Sequence, residues 1–158
     1  YLREQQLKAE SLIPNARMAV LMDAGLEYGI HPRKKRQAGE RLAILALANT
    51  YDVKGLPDFA MYKEVTFQND TAVITFDRSK EWVYFEHGPS SNNFEIAGDD
   101  RVFHPTEAWV SRNLVYVKSN KVKKPVAVRY AWRDNPLGVN AYGQQTSLPL
   151  APFEWSLK

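Results

Sequence analysis

The chain has 158 residues, 44% of them hydrophobic and 25% charged, with a formal net charge of +3 and a pI of about 9.1. This is ordinary globular composition, enough for one domain or for a piece of one joined to a second, so disorder is not expected. The absence of cysteine excludes disulfides and thiolate metal sites; no run approaches the roughly 18–20 apolar residues of a membrane helix, and the basic residues are mostly scattered, so neither a membrane nor nucleic acid is an expected partner.

In chain order, the opening YLREQQLKAE reads as the middle of a helix and has no leader character, which predicts that the chain starts partway through a longer protein. Leu2, Gln5, Gln6 and Ala9 share helical spacing, and Pro14-Asn15 stops that helix. Met18-Ala19-Val20-Leu21-Met22 is a continuous apolar run of the kind that suits a strand buried on both faces of a parallel sheet. A polar loop with Gly25 and Gly29 leads to His31-Pro32. From about Lys35 to Asn49 the pattern is helical again, with Leu42, Leu45, Ala46 and Ala48 as its apolar stripe. Asp52–Asp58, with Gly55 and Pro57, reads as a linker.

Beyond the linker the period changes to two. Strands are expected near 64–67, 72–76, 83–86, 94–96, 108–110, 114–117 and 126–130, with turns at Asn69-Asp70 and Asn92-Asn93. Such close spacing predicts a sandwich or jelly roll. Trp109 is expected in its core. The segment Trp132–Tyr142, rich in Asn, Asp, Pro and Gly, reads as a long loop of the sort that often carries function.

His31, between a buried strand and a helix, stands where a general base is useful to an esterase, because a serine hydroxyl needs a neighbour to accept its proton. Position alone favours an ordinary loop histidine near a helix N-terminus. Arg33-Lys34-Lys35-Arg36 lacks interleaved aromatics and reads as a solvated helix start. His87 and His104 lack metal-site spacing and read as structural or surface residues.

The block Gly29-Ile30-His31-Pro32-Arg33-Lys34-Lys35, followed by Ala38-Gly39-Glu40-Arg41-Leu42-Ala43, resembles the last motif of the SGNH serine hydrolases. Within them it is similar to the sialate O-acetylesterase family. The segments 13–20, 94–98, 126–132 and 148–153 extend that resemblance in order along the chain. The resemblance implies a helix-strand-helix part of a flavodoxin-like α/β hydrolase domain over 1–51, followed by a C-terminal β-sandwich domain over 52–158. It implies that His31 is the catalytic base of a carbohydrate O-acetylesterase acting on O-acetyl sialic acid, with no metal or cofactor. Family members are often exported, which points to a periplasmic or secreted protein. The family's serine and oxyanion-hole residues would precede Tyr1. None of Ser11, Ser79, Ser90, Ser91, Ser111, Ser119, Ser147 and Ser156 stands in a matching setting. The nucleophile is therefore expected from an N-terminal portion of the same protein, and this chain alone should be inactive. Where SGNH enzymes often place an Asp three residues before the histidine, this sequence has Tyr28, which leaves Glu27 and Asp23 as candidate orienting acids. Arg33 is the candidate for a sugar carboxylate, and Trp132 for sugar contact. The rival reading is a non-catalytic carbohydrate-binding or interaction module.

Overall fold

From Met61 to Ser156, buried and exposed residues alternate along most of the chain, as in the run where Ala108 is buried between outward-facing Glu107 and Trp109. Segments of period two hide one face only by lying side by side. In the computed structural model, which describes residues 1–78, 82–144 and 146–157, they form nine strands; Ser79 lies outside the described residues. Seven strands make one antiparallel sheet: β1 (Met61–Gln68), β2 (Thr71–Asp77), β4 (Ser90–Ala97), β5 (His104–Ser111), β6 (Leu114–Lys118), β7 (Ala127–Tyr130) and β9 (Phe153–Ser156). Their spatial order is β1-β2-β6-β5-β4-β7-β9, and β3 (Val83–Phe85) pairs separately with β8 (Ala141–Gly143).

The long sheet curls until its two edges meet. Ala151 N–H donates to the Ala60 carbonyl at 3.2 Å, and the Tyr62 and Phe153 rings lie 4.7 Å apart. Phe67 and Trp155 make a second aromatic contact across the seam, at 5.6 Å. The result is a nearly closed, barrel-like sheet. Its interior holds Ile74, Phe94, Ile96, Val117, Val128 and Tyr130, each 0% exposed. The rings of Phe85, Phe94, Tyr130 and Phe153 follow one another at 6.1, 4.6 and 6.4 Å in tilted contacts, the arrangement that ring quadrupoles favour.

The expected architecture is overturned on three points. There is no sandwich of two packed sheets, because the strands pair into one sheet that closes on itself. There is no helix-strand-helix piece of a flavodoxin-like domain, because Met18–Met22 is extended but joins no strand among the described residues. Two of its backbone groups are met by side chains: Met18 N–H by Glu10 Oε2 at 3.3 Å, and the Val20 carbonyl by Arg41 Nη1 at 2.8 Å. Nor do residues 1–51 stand apart from the β part. Val20 and Leu45 pack with Phe59, Leu148 and Ala151 in a second, smaller core.

Two local expectations also change. Asn92-Asn93 is no turn; both residues lie within β4, where the register to β5 shifts between Ser91 and Phe94. Trp109 points outward, 39% exposed, and stacks on Tyr116 at 5.6 Å and 11°. The helices fall where their spacing puts them, α1 at Leu2–Leu12 and α2 at Lys35–Asn49. Of the expected stripe on α2, Leu45 is buried while Leu42 is 55% exposed.

Candidate functional site

The segment between Leu21 and α2 carries no regular structure, and His31 lies exposed within it, next to the 87% exposed Ile30. One buried ion pair fixes the start of this segment. Arg41, on the inward face of α2, meets Asp23 with two parallel bonds, Nη1 to Oδ1 at 2.6 Å and Nη2 to Oδ2 at 2.7 Å. Their side chains are only 6% and 10% exposed. A planar guanidinium suits this forked geometry. Lys34 adds a bond from Nζ to the Asp23 carbonyl at 3.2 Å.

Across from this segment stand two pieces of the β part, the turn Glu86-His87 and the loop leading into β8. Between them and residues 22–27 and Lys34 is a cavity of about 370 Å³, lined among others by Glu27, Lys34, Glu86, His87, Asn135 and Asn140; His31 is not in its lining. Two asparagines, Asn93 buried and Asn140 half-buried, hold its β wall. Asn140 Nδ2 donates to the carbonyls of Glu86 (3.1 Å) and Ser90 (3.0 Å), while Asn93 Nδ2 donates to those of Leu137 (3.2 Å) and Gly138 (2.9 Å). Tyr142 also faces this space. Burial first, then the negative charges of Asp23 and Glu86, push its phenol up to about 12, against a smaller opposing pull from Arg41.

The residues singled out from the sequence are only partly gathered here. Glu27 and Asp23 line the cavity, but Asp23 is engaged with Arg41, and among the described residues neither acid is hydrogen-bonded to His31. Arg33 is exposed and stands outside the cavity lining. Trp132 borders a different cavity of about 470 Å³, beside Tyr1, Leu2 and Arg3. Among the described residues, no three His, Cys, Asp or Glu side chains come together as a metal site. Arg41, Glu86, Asn135, Asn140 and Tyr142 were not identified individually from the sequence. For Asn135, Asn140 and Tyr142 the signal was the polar, Pro- and Gly-bearing run from Trp132 to Tyr142, and for Arg41 the motif that follows His31; nothing in the sequence paired that run with the His31 segment or marked Glu86.

No protein-family model matches this chain, and no curated protein does. Among solved structures, it is similar to the crystal structure of a carbohydrate acetylesterase from Xanthomonas citri, with a TM-score of 0.90 and 36% sequence identity. The match covers 99% of this chain and 36% of that one, so the chain spans about a third of the length of the enzyme it matches. At this identity and overlap the chain has the fold of the matched part of that enzyme.

Proposed function

We propose that the chain is part of a carbohydrate acetylesterase, an enzyme that releases acetate from O-acetylated sugar. The observation that carries this reading is the 36% identity sustained over 99% of the chain at a TM-score of 0.90 to an enzyme of that description. The exposed His31, on a segment anchored by a buried ion pair, supports it: a base must reach substrate while its backbone stays put. In the mechanism we infer, His31 takes the proton of a serine hydroxyl as that oxygen attacks the acetyl carbonyl. The same imidazole returns the proton to the departing sugar oxygen, then activates water to release acetate. The serine and the oxyanion donors come from another part of the polypeptide, which covers the exposed apolar face of residues 1–51. Sialic acid as the sugar follows only from the resemblance, with Arg33 as the cation for its carboxylate.

The test is acetate release by the whole protein from acetylated sugars. His31→Ala should lower kcat/KM by about 10⁴-fold or more, the scale of losing a triad base, with an unchanged circular dichroism spectrum. Full activity in that variant would remove His31 from the mechanism. Sugar binding without acetate release by the wild type would favour the non-catalytic module instead.

A further inference from the structure

We propose that the stacked pair Trp109 and Tyr116 is a carbohydrate-binding platform remote from the His31 segment, and that it takes a glycan chain of equatorially linked pyranose rings. The choice of a carbohydrate rests on the acetylesterase reading; the platform itself is a feature of the sheet. The strand registers set one row of side chains across the outer face: Thr66, Val73, Tyr116, Trp109 and Ser90, each directly opposite the next. Alternation fixes the way they point, because their neighbours along the strands, Ala72, Ile74, Ala108, Val115 and Val117, fill the interior.

The row is aromatic at its centre and flanked by polar groups. Two places along the strands stand Glu64, Thr75 and Ser111 on one side, with Leu114 among them, and Thr71 and Lys118 on the other. Tyr116 is half-buried, and Val73 next to it is 4% exposed although it belongs to neither core, so the row covers it from outside. Trp109 adds nothing to the core and is 39% exposed. Its stacking on Tyr116, 11° from parallel, holds the indole in place, so little ordering is left for binding. An equatorially linked pyranose carries its hydroxyls at the ring edge and axial C–H bonds on its faces. Such a face lies well on the negative face of an aromatic ring. The hydroxyls then reach sideways to the side chains of the flanking rows.

Position separates this platform from the catalytic segment. In the spatial order of the sheet β5 is the fourth of seven strands, so Trp109 stands across the barrel from the seam where β1 and β9 meet. Residues 1–51 dock beside that seam, Val20 and Leu45 on Phe59, Leu148 and Ala151. The apolar surface for another part of the polypeptide to cover lies on residues 1–51 as well, which leaves the far side to solvent and ligand. A glycan held there stays close to the enzyme between encounters of its ester groups with His31, so the platform acts by raising the local concentration of substrate.

Hydroxyl-radical footprinting of the whole protein, read by mass spectrometry, reports exposure and ligand contact at Trp109 together. Trp109 should be oxidised in the free protein and protected by cellohexaose, a chain of equatorially linked glucose. Maltohexaose, whose linkages are axial, should bind at least about ten-fold more weakly in calorimetry. Trp109→Thr, which keeps a strand-forming residue in β5, should weaken cellohexaose binding about ten-fold or more. Trp109→Phe, which keeps a ring, should stay within about three-fold of the wild type. An unreactive Trp109 in the free protein would mean that the rest of the polypeptide covers this face, and would overturn the proposal. So would absent protection, equal binding of maltohexaose, or full binding by Trp109→Thr. Equal loss in the Thr and Phe variants would assign the contact to the indole N–H and reject stacking. Should Trp109→Thr fail to fold, the wild-type footprint and the comparison of the two sugars decide. None of these measurements reads ester cleavage. A protein that releases no acetate from acetylated sugars therefore refutes the acetylesterase reading, while the footprint still judges the platform.

Discussion

Arg41 and Asp23 sit at the junction of every argument about the His31 segment. Both side chains are about nine-tenths buried and satisfy each other twice over, with the Val20 carbonyl as a third partner of the guanidinium. Taking one charge from such a pair strands the other in a place water does not reach, which costs about 3–5 kcal/mol. Arg41→Met should lower stability by that amount in urea denaturation. Asp23→Leu added to it should restore most of the loss, since an apolar pair of similar volume tolerates burial. A single-variant loss below about 1 kcal/mol would show the pair to be solvated, and the anchoring of His31 would have to come from elsewhere. The pairing also shows what the sequence can yield at this scale. Asp23 was conspicuous as an acid near His31, but no spacing rule joins residues 18 positions apart, so its commitment to Arg41 could be read only in space.

The strands were the legible elements. All seven segments with period-two alternation lie in strands, because burying one face leaves its mark on every second residue. β8 and β9 were not legible, because Ala141 and Tyr142 close the polar run read as a loop and Phe153–Ser156 directly follows Pro149 and Pro152. Turns were readable where the chemistry was ordinary. Asn69-Asp70 closes β1 onto β2, with Asn69 at φ 57. Arg112-Asn113 closes β5 onto β6 with both residues at positive φ, 50 and 63, although Arg is no usual choice there. Asn92-Asn93 misled for a physical reason. Asn tolerates turns, but here it occupies a bulge, and the extra residue aims Asn93 at the loop that walls the cavity. That role is testable. Asn93→Ala leaves the carbonyls of Leu137 and Gly138 without their donor, at a cost of about 1–3 kcal/mol. Hydrogen exchange at amides 137–140 should quicken while β4 and β7 keep their protection. Unchanged exchange in that loop would mean Asn93 does not hold it.

At the scale of the whole molecule the two parts of the chain are unequal in a way the composition hides. The β part closes its sheet edges on each other and keeps its large apolar side chains inside. Residues 1–51 do the opposite. Among the described residues they hold eleven of the seventeen exposed large hydrophobics, including Leu12, Leu21, Leu42 and Leu47. A groove of about 540 Å³ runs between α1 and the extended segment 16–22, with Leu42 on its border. The apolar run at 18–22 was read as a strand because it has the composition of one, and that reading failed only for want of a neighbour to pair with. Exposed apolar surface on this scale marks a contact surface, and an extended segment without a ladder offers free backbone groups to a partner. We expect the chain by itself to bind a hydrophobic dye and to associate as its concentration rises in sedimentation. Leu21→Glu with Leu42→Glu and Leu47→Glu should make it monomeric and leave its melting temperature little changed, since these positions are already solvated. In the whole protein the same three substitutions should destabilise the fold by several kcal/mol, because each would place a carboxylate in a covered apolar contact. A wild-type chain that stays monomeric and dye-free, together with a whole protein indifferent to the substitutions, would show that nothing covers this face.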